Sequence, residues 1–440
     1  MFAKTTHRYL TSLACVAASA LAAAHSNGQT SRNIDFNKQY KGIVIRAKSV
    51  LSYNLSLDKG GIYQFSILQQ GIAVYYTLIG PNDQMLYESD YPDDTSGYEK
   101  FEYSPQTSGT YKLTIRRFND PENPDSGLIS FVVKSLTKRE IETRLRIKKE
   151  LEPENNKNVT TIDIDHFWDA FDNLPNCKTF ADSAECFQKF YLDRATNGLL
   201  DFIQVRDLTS EKFVDAVSKN ASFYRTVRNN TLEAKQAEPG IDDVFRRFRV
   251  IYPDFKPFKV CFAIGIKNTG GTVSNQFVLI GTEVTTSFDR MDTTSTETIL
   301  KRINGIVAHE CVHTQQKPHS DSSAVQCPLL YQSLKEGACD FIAELITGTT
   351  NRNEYGEQNE NRLWIEFKNE LCNQNIGNWL YNGYSVKDKP ADLGYFIGYE
   401  ITKEYYNNSA DKDRAVGEII GMSDPVRFLE LSKYDQKVKR

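Results

Sequence analysis

From residue 34 to residue 137 apolar and polar positions alternate with a period of two, as in Leu51-Ser52-Tyr53-Asn54-Leu55, Tyr63-Gln64-Phe65-Ser66-Ile67 and Tyr111-Lys112-Leu113-Thr114-Ile115. Successive side chains of a strand point to opposite faces, so this pattern predicts half-buried strands. Turn residues punctuate them at Lys59-Gly60-Gly61, Gly80-Pro81-Asn82-Asp83, Pro92-Asp93-Asp94 and Ser108-Gly109, the spacing expected of an antiparallel sandwich. From Lys138 to Thr161 the chain turns to Lys, Arg, Glu and Asn around Pro153, which predicts a short charged helix and a linker. From Ile162 the period becomes mainly helical, beginning with His166-Phe167-Trp168-Asp169-Ala170-Phe171. Two apolar runs interrupt it: Val260-Cys261-Phe262-Ala263-Ile264-Gly265 and Phe277-Val278-Leu279-Ile280-Gly281, flanking Asn268-Thr269-Gly270-Gly271-Thr272. They read as a strand pair. The expected architecture is multidomain: an all-β antiparallel sandwich over 34–137, a charged linker over 138–161, and a mainly helical α+β domain over 162–440.

The first residues differ from all of this. Lys4, His7 and Arg8 precede an uncharged run of apolar and small residues from Leu10 to Ala24, ending Ala22-Ala23-Ala24. At about 15 weakly hydrophobic residues the run is shorter than the roughly 20 needed to span a bilayer, so residues 1–27 read as an export signal peptide. Cys15 is a poor match to a lipoprotein cysteine, because the apolar run continues past it. No later segment is long and apolar enough to span, so the expected mature protein is soluble and secreted or periplasmic.

Composition narrows the function classes without choosing one. The chain has 440 residues, 40% of them hydrophobic and 25% charged, with 53 Lys+Arg against 57 Asp+Glu. These are ordinary values for a globular protein of two to three domains, and a net charge of -4 argues against nucleic acid as a partner. Without Cys15 the cysteines are Cys177, Cys186, Cys261, Cys311, Cys327, Cys339 and Cys372, an odd number that leaves at least one thiol unpaired. Cys177 with Cys186 is the expected pair, since a short polar loop separates them. There is no CxxC, so a cysteine-only zinc cluster has no support. Asp90, Asp93 and Asp94 are the residue type that binds calcium, but a solvated acidic loop is the preferred reading.

The chemistry concentrates at His309-Glu310-Cys311-Val312-His313. Thr294-Ser295-Thr296-Glu297 is a helix start, and Ile299, Ile303, Ile306 and Val307 form an apolar stripe at helical spacing. Histidines at i and i+4 of one helix project from one side and reach a single metal ion, with Glu310 close enough to take a proton from a water beside it. With only 6 histidines in the chain, coincidence is a weak explanation. A catalytic zinc site needs a third protein ligand. Glu336 is one candidate, on a second helical run where Asp340, one turn on, is placed to accept the remaining ring N–H of a ligating histidine. His319 is the rival, because His309-x3-His313-x5-His319 has three-histidine spacing. Gln316 stands where that arrangement needs a glycine for a sharp turn, and Pro318 departs further. Glu344 is a weaker outsider.

Two resemblances rest on these residues. Gln70-Gly71-Ile72, Gly80-Pro81-Asn82-Asp83 and Ser108-Gly109-Thr110-Tyr111 resemble the pre-peptidase C-terminal type of β-sandwich found beside secreted bacterial peptidases. The His309–His313 motif, the Glu336-x-x-x-Asp340 segment, the Gly270-Gly271 strand pair and Gly394-Tyr395-Phe396-Ile397-Gly398-Tyr399 together resemble the gluzincin type of predicted exported zinc-dependent protease. The resemblance implies Zn2+ held by His309, His313 and Glu336, with Glu310 as general base. It implies that Tyr395, three residues before Gly398, donates to a developing oxyanion; a packed aromatic is the competing reading, and Tyr399 the reserve. It further implies that one strand of the pair holds an extended peptide or protein substrate by main-chain hydrogen bonds, against a plain core hairpin. Two other functions stay open: an exported binding or adhesion module with a structural or degenerate metal site, and a zinc hydrolase acting on a non-peptide amide or ester.

Overall fold

The alternating segment builds two facing sheets. The strands are β1 (Arg32–Asn33), β2 (Tyr40–Arg46), β3 (Val50–Leu57), β4 (Tyr63–Gln70), β5 (Val74–Ile79), β6 (Met85–Glu88), β7 (Ser96–Tyr103), β8 (Gly109–Arg117) and β9 (Ser126–Ser135). One sheet runs β1-β3-β8-β5-β6 and the other β2-β9-β4-β7, antiparallel except where β1 meets β3. Alternate residues of both sheets, among them Leu55, Ile67, Leu78, Leu113, Ile115 and Val133, are buried in one core, each contributing about 1.5–3 kcal/mol. Aromatic rings close it, with Phe101 stacked on Phe65 at 4.2 Å and on Tyr87 at 4.1 Å. The N-terminal part is a β-sandwich.

The structure, a computed structural model, describes residues 32–89, 95–121, 123–288, 294–317, 327–349, 353–383 and 389–438. The expected signal peptide, Cys15, Asp90, Asp93, Asp94, Pro318 and His319 lie outside the described residues. Contacts divide the chain into two compact units that meet between Arg146 and Ile147. The boundary falls inside α1 (Lys138–Asn156), a helix of 19 residues that continues through Pro153. Val159–Thr160, expected in a linker, instead form a strand, β10.

The second unit is mainly helical, as the change of period predicts. In order it has α2 (Ile162–Asn173), α3 (Phe180–Phe190), α4 (Asn197–Val205), α5 (Ser210–Lys219), α6 (Ala221–Glu233) and α7 (Glu238–Ile251). Next come strands β11 (Lys259–Ala263), β12 (Gly271–Val273) and β13 (Phe277–Gly281), then α8 (Thr282–Thr285) and α9 (Thr296–Gln315). Helices α10 (Pro328–Thr347), α11 (Glu354–Glu370) and α12 (Leu393–Asn408) follow, with three short helices to Lys437.

The four strands form a sheet in the order β10-β11-β13-β12. β11 and β13 are parallel neighbours inside the sheet, so they are neither the core hairpin nor an edge strand free to hold a substrate, the two readings the sequence left open. Both are apolar on both faces, which is the signature of central parallel strands. The antiparallel partner of β13 is β12, drawn from the Gly-rich stretch read as their connection, and it takes the sheet edge. A tight turn sets the β12–β13 hairpin, in which Ser274 Oγ accepts from Phe277 N at 3.0 Å.

The cysteine pairing also departs from expectation. Cys177 and Cys186 are free thiols, and the disulfide joins Cys327 to Cys372, 45 residues apart. Each free thiol has its own acceptor: Cys177 Sγ donates to Asp182 O at 3.5 Å and Cys186 Sγ to Ala170 O at 3.5 Å. Burial, with Cys177 adding to it, pushes the Cys186 thiol up to about 11. A short separation favoured the wrong pair because loop closure depends only weakly on length, whereas the fold decides which sulfurs meet. Among the described residues no helix is long and apolar enough to cross a membrane.

Candidate metal centre

Three helices carry the site. α9 starts at Ser295, whose hydroxyl accepts from Thr298 N, and it buries Ile299, Ile303 and Val307 against the core. With that face fixed, His309 and His313 come side by side, ring centroids 5.0 Å apart. α10 starts with Pro328 and ends at Gly348, which takes a left-handed φ of +68° that suits a residue without a β-carbon. Both flanks of α10 are buried, and its polar exceptions include Glu336, which is 6% exposed. α12 crosses α10 at backbone contact: a β-carbon on Gly337 would fall 2.6 Å from Gly398 Cα, and one on Gly398 would fall 3.1 Å from Leu334 N. The glycine after Tyr395 is therefore a helix-crossing residue. That crossing lays the Tyr395 ring over His309, centroids 6.3 Å apart and planes 23° from parallel.

Glu336 Oε2 lies 3.1 Å from His313 Nε2 and 3.4 Å from His309 Nε2. Behind the rings, His309 Nδ1 meets Asp340 Oδ1 at 2.8 Å and His313 Nδ1 meets Gln316 Oε1 at 2.9 Å. In the tautomer whose Nδ1–H donates rearward, each ring turns its Nε2 towards Glu336 as an acceptor. Two imidazole nitrogens and a carboxylate oxygen thus face one point, which either Nε2–H protons or a metal cation can bridge. Two ligands of a tetrahedral zinc ion, with bonds of about 2.0–2.1 Å, sit about 3.3 Å apart, so this donor set fits the ion in type and spacing.

Cys339 offers a competing set. His309, His313 and Cys339 present ligand atoms within 4.8 Å of one another. Cys339 Sγ, however, lies 3.4 Å from His313 Nδ1, the nitrogen already engaged by Gln316, and it donates to Lys335 O at 3.3 Å. It stands behind the ring, away from the two Nε2 atoms. The carboxylate set is the tighter.

Electrostatics follow from burial and these partners. Burial alone would depress the His309 imidazolium, but Asp340, with Glu336 and Glu310, holds it well above the ordinary histidine range. Burial alone would raise the Glu336 carboxyl, yet His313 and His309 hold it well below the usual range. Glu310, 8% exposed, is pushed up by burial, opposed by His313, His309 and Arg206. Its side chain rests on Gly271 of the edge strand, where a β-carbon would fall 2.8 Å from its Cγ and Cδ. Arg206 donates to Thr269 Oγ1 at 2.7 Å and to Gly271 O at 3.5 Å, tying the start of that strand to the residue after α4.

The structure thus brings His309, Glu310, His313, Glu336, Asp340 and Tyr395 to one place. Glu344 and Tyr399 are elsewhere, hydrogen-bonded to each other. Four participants escaped sequence reasoning: Arg206, Gly271 as the seat of Glu310, Gln316 as a ring partner, and Tyr381, whose phenol donates to Glu336 Oε1 at 2.6 Å. Burial, then Glu336, raises that phenol far above its ordinary value, so it stays a donor. The Tyr381 ring stands edge-on to Tyr395 at 6.3 Å. No period marks Tyr381; the adjoining Asn382-Gly383 turn pair is the only cue.

Residues 286–418 match a sequence family described as "Predicted Zn-dependent protease (DUF2268)", a stretch that holds His309, Glu310, His313, Glu336, Asp340, Tyr381 and Tyr395 but not Arg206 or Gly271. No curated protein matches the chain. Among solved structures, the chain is similar to the pre-peptidase C-terminal domain of collagenase from Bacillus anthracis, with 17% identity, 25% of this chain, 100% of that one and a TM-score of 0.21. It is also similar to PliG, a periplasmic inhibitor of g-type lysozyme, from Aeromonas hydrophila (14% identity, 24% of this chain, 96% of that one, TM-score 0.20) and from Salmonella Typhimurium (20% identity, 24% and 100%, TM-score 0.19). At family level, the helical unit is similar to a predicted zinc-dependent protease.

Proposed function

We propose that the protein is an exported zinc metallopeptidase of gluzincin type that hydrolyses peptide bonds in peptide or protein substrates. The observation that carries this is the convergence of His309 Nε2, His313 Nε2 and Glu336 Oε2, with Glu310 on the same helix between the two imidazoles. A zinc ion bound there supplies Lewis acidity, polarising a carbonyl and lowering the pKa of a water towards about 7. Glu310 accepts the proton of the attacking water and returns it to the leaving amine, as general base and then general acid. Burial raises its affinity for that proton, which suits the transfer. Tyr395, whose phenol has no hydrogen-bond partner among the described residues, is placed to donate to the developing oxyanion. The edge strand β12, touching Glu310 at Gly271, receives an extended substrate through main-chain hydrogen bonds. Recognition by backbone makes cleavage broad in sequence. The Cys327–Cys372 disulfide supports an oxidising, extracytoplasmic location.

The test is Glu310→Gln, assayed on a mixed peptide library with metal content measured in parallel. The variant should retain zinc and lose hydrolysis by at least 10²-fold. Hydrolysis that persists with zinc bound would remove Glu310 from the reaction; an unchanged protein that takes up no zinc would remove the peptidase reading altogether.

A further inference from the structure

The backbone around Tyr381 is held more firmly than an ordinary loop. Trp379 and Leu380, immediately before it, are buried, and Gly394 N donates to Trp379 O at 2.8 Å. Immediately after it, Asn382 and Asp392 exchange hydrogen bonds, Asn382 N to Asp392 Oδ1 at 3.0 Å and Asp392 N to Asn382 Oδ1 at 2.7 Å. Asn382 Nδ2 donates in turn to Gly377 O at 3.0 Å. Between these anchors Tyr381 adopts φ +57°, and Asp392 adopts φ +58°, a left-handed region that residues with a β-carbon rarely enter. That backbone turn directs the phenol at the one carboxylate oxygen of Glu336 that does not face the imidazoles.

We infer that Tyr381 is a positioning residue that occupies Glu336 Oε1, so that Glu336 presents a single oxygen, Oε2, to the metal beside His309 and His313. This rests on the reading of Glu336 as a ligand. A carboxylate with both oxygens free can swing to present both at once; a donor at 2.6 Å on Oε1 holds it to one and fixes its orientation. The two histidines are oriented in the same way, from behind, by Asp340 and Gln316. All three members of the donor set therefore have a partner on the face turned away from the centre. Tyr395 is left as the phenol open to substrate, and the two tyrosines have separate duties.

The experiment compares the unchanged protein, Tyr381→Phe and Glu336→Ala. Each is titrated with zinc against a competing chelator, and each is loaded with Co(II) for its visible absorption. Y381F removes a single hydroxyl and keeps the ring, and circular dichroism checks that the fold is retained. Y381F should bind zinc 10–100-fold more weakly and change the shape and intensity of the cobalt band. Should E336A bind zinc as tightly as the unchanged protein, the ligand reading itself falls. Should E336A lose zinc while Y381F matches the unchanged protein in affinity and cobalt spectrum, the role of Tyr381 falls and the ligand reading stands.

Discussion

The carboxylate arm of Glu310 lies against the bare α-carbon of Gly271, in the space that a β-carbon would fill. One edge-strand glycine thereby sets where Glu310, the proposed general base, can rest. Gly271→Ala should displace Glu310 by an ångström or so and lower kcat/KM by about 10²-fold, because misplacement on that scale is expensive in catalysis. Zinc affinity and the unfolding midpoint should change little. Parallel kinetics and metal titration check this, and unimpaired turnover would show that Glu310 does not depend on that contact.

Gly398→Ala addresses stability. The added methyl group would press on the Ser333–Leu334 backbone of α10, where no side chain can move aside. Overpacking of this kind costs typically 1–3 kcal/mol, and more where backbone must shift. Thermal unfolding should show the helical unit melting earlier, with zinc affinity falling because α10 carries Glu336.

Much of this site was legible in the chain because its parts obey helical periodicity. His309 and His313 stand four apart on a stripe-bearing helix, and Glu336 and Asp340 stand four apart on the next, so each pair is forced onto one face. Tyr381 obeys no period: it reaches the site from a left-handed turn whose geometry depends on Asn382 and Asp392 bonding across a loop. Gly271-Thr272-Val273 has weak strand character of its own and becomes a strand by pairing with β13. The sandwich was readable because alternation specifies which face is buried. The disulfide was not, since only the tertiary fold brings Cys327 to Cys372.

Asp340→Asn removes the charge behind His309 while keeping a similar shape. Zinc affinity should fall 10–100-fold, the usual effect of losing a partner that orients a ligating histidine. A competing chelator measures it, and an unaltered dissociation constant would show that Asp340 does not orient the ring.

Replacing Cys327 and Cys372 with Ser opens a loop of 45 residues. Loop-closure entropy assigns that cross-link roughly 4 kcal/mol. Urea unfolding of the double variant should show a loss of that order, and dithiothreitol should reproduce it in the unchanged protein. Equal stability with and without reductant would refute it.

Asp172 and Arg228 form a two-point ion pair, at 2.6 and 2.7 Å, between α2 and α6. The Arg228 guanidinium holds the Asp172 carboxyl below its ordinary value. A depressed carboxyl contributes stability above its unfolded pKa of about 3.9 and loses it as pH falls through the lower folded value. Both side chains are substantially solvated, so the contribution is about 1 kcal/mol or less. Asp172→Asn should lower stability at pH 7 and make progressively less difference below pH 4; denaturant titrations at the two pH values decide.

The donors of the proposed centre come from two helices whose register depends on tertiary packing and on side-chain bonds between them. An unfolded chain, or one in which α10 has not seated on α12, offers at most a pair of histidines and a weak grip on any cation. Zinc stoichiometry in a purified sample would then count the molecules whose helices have docked.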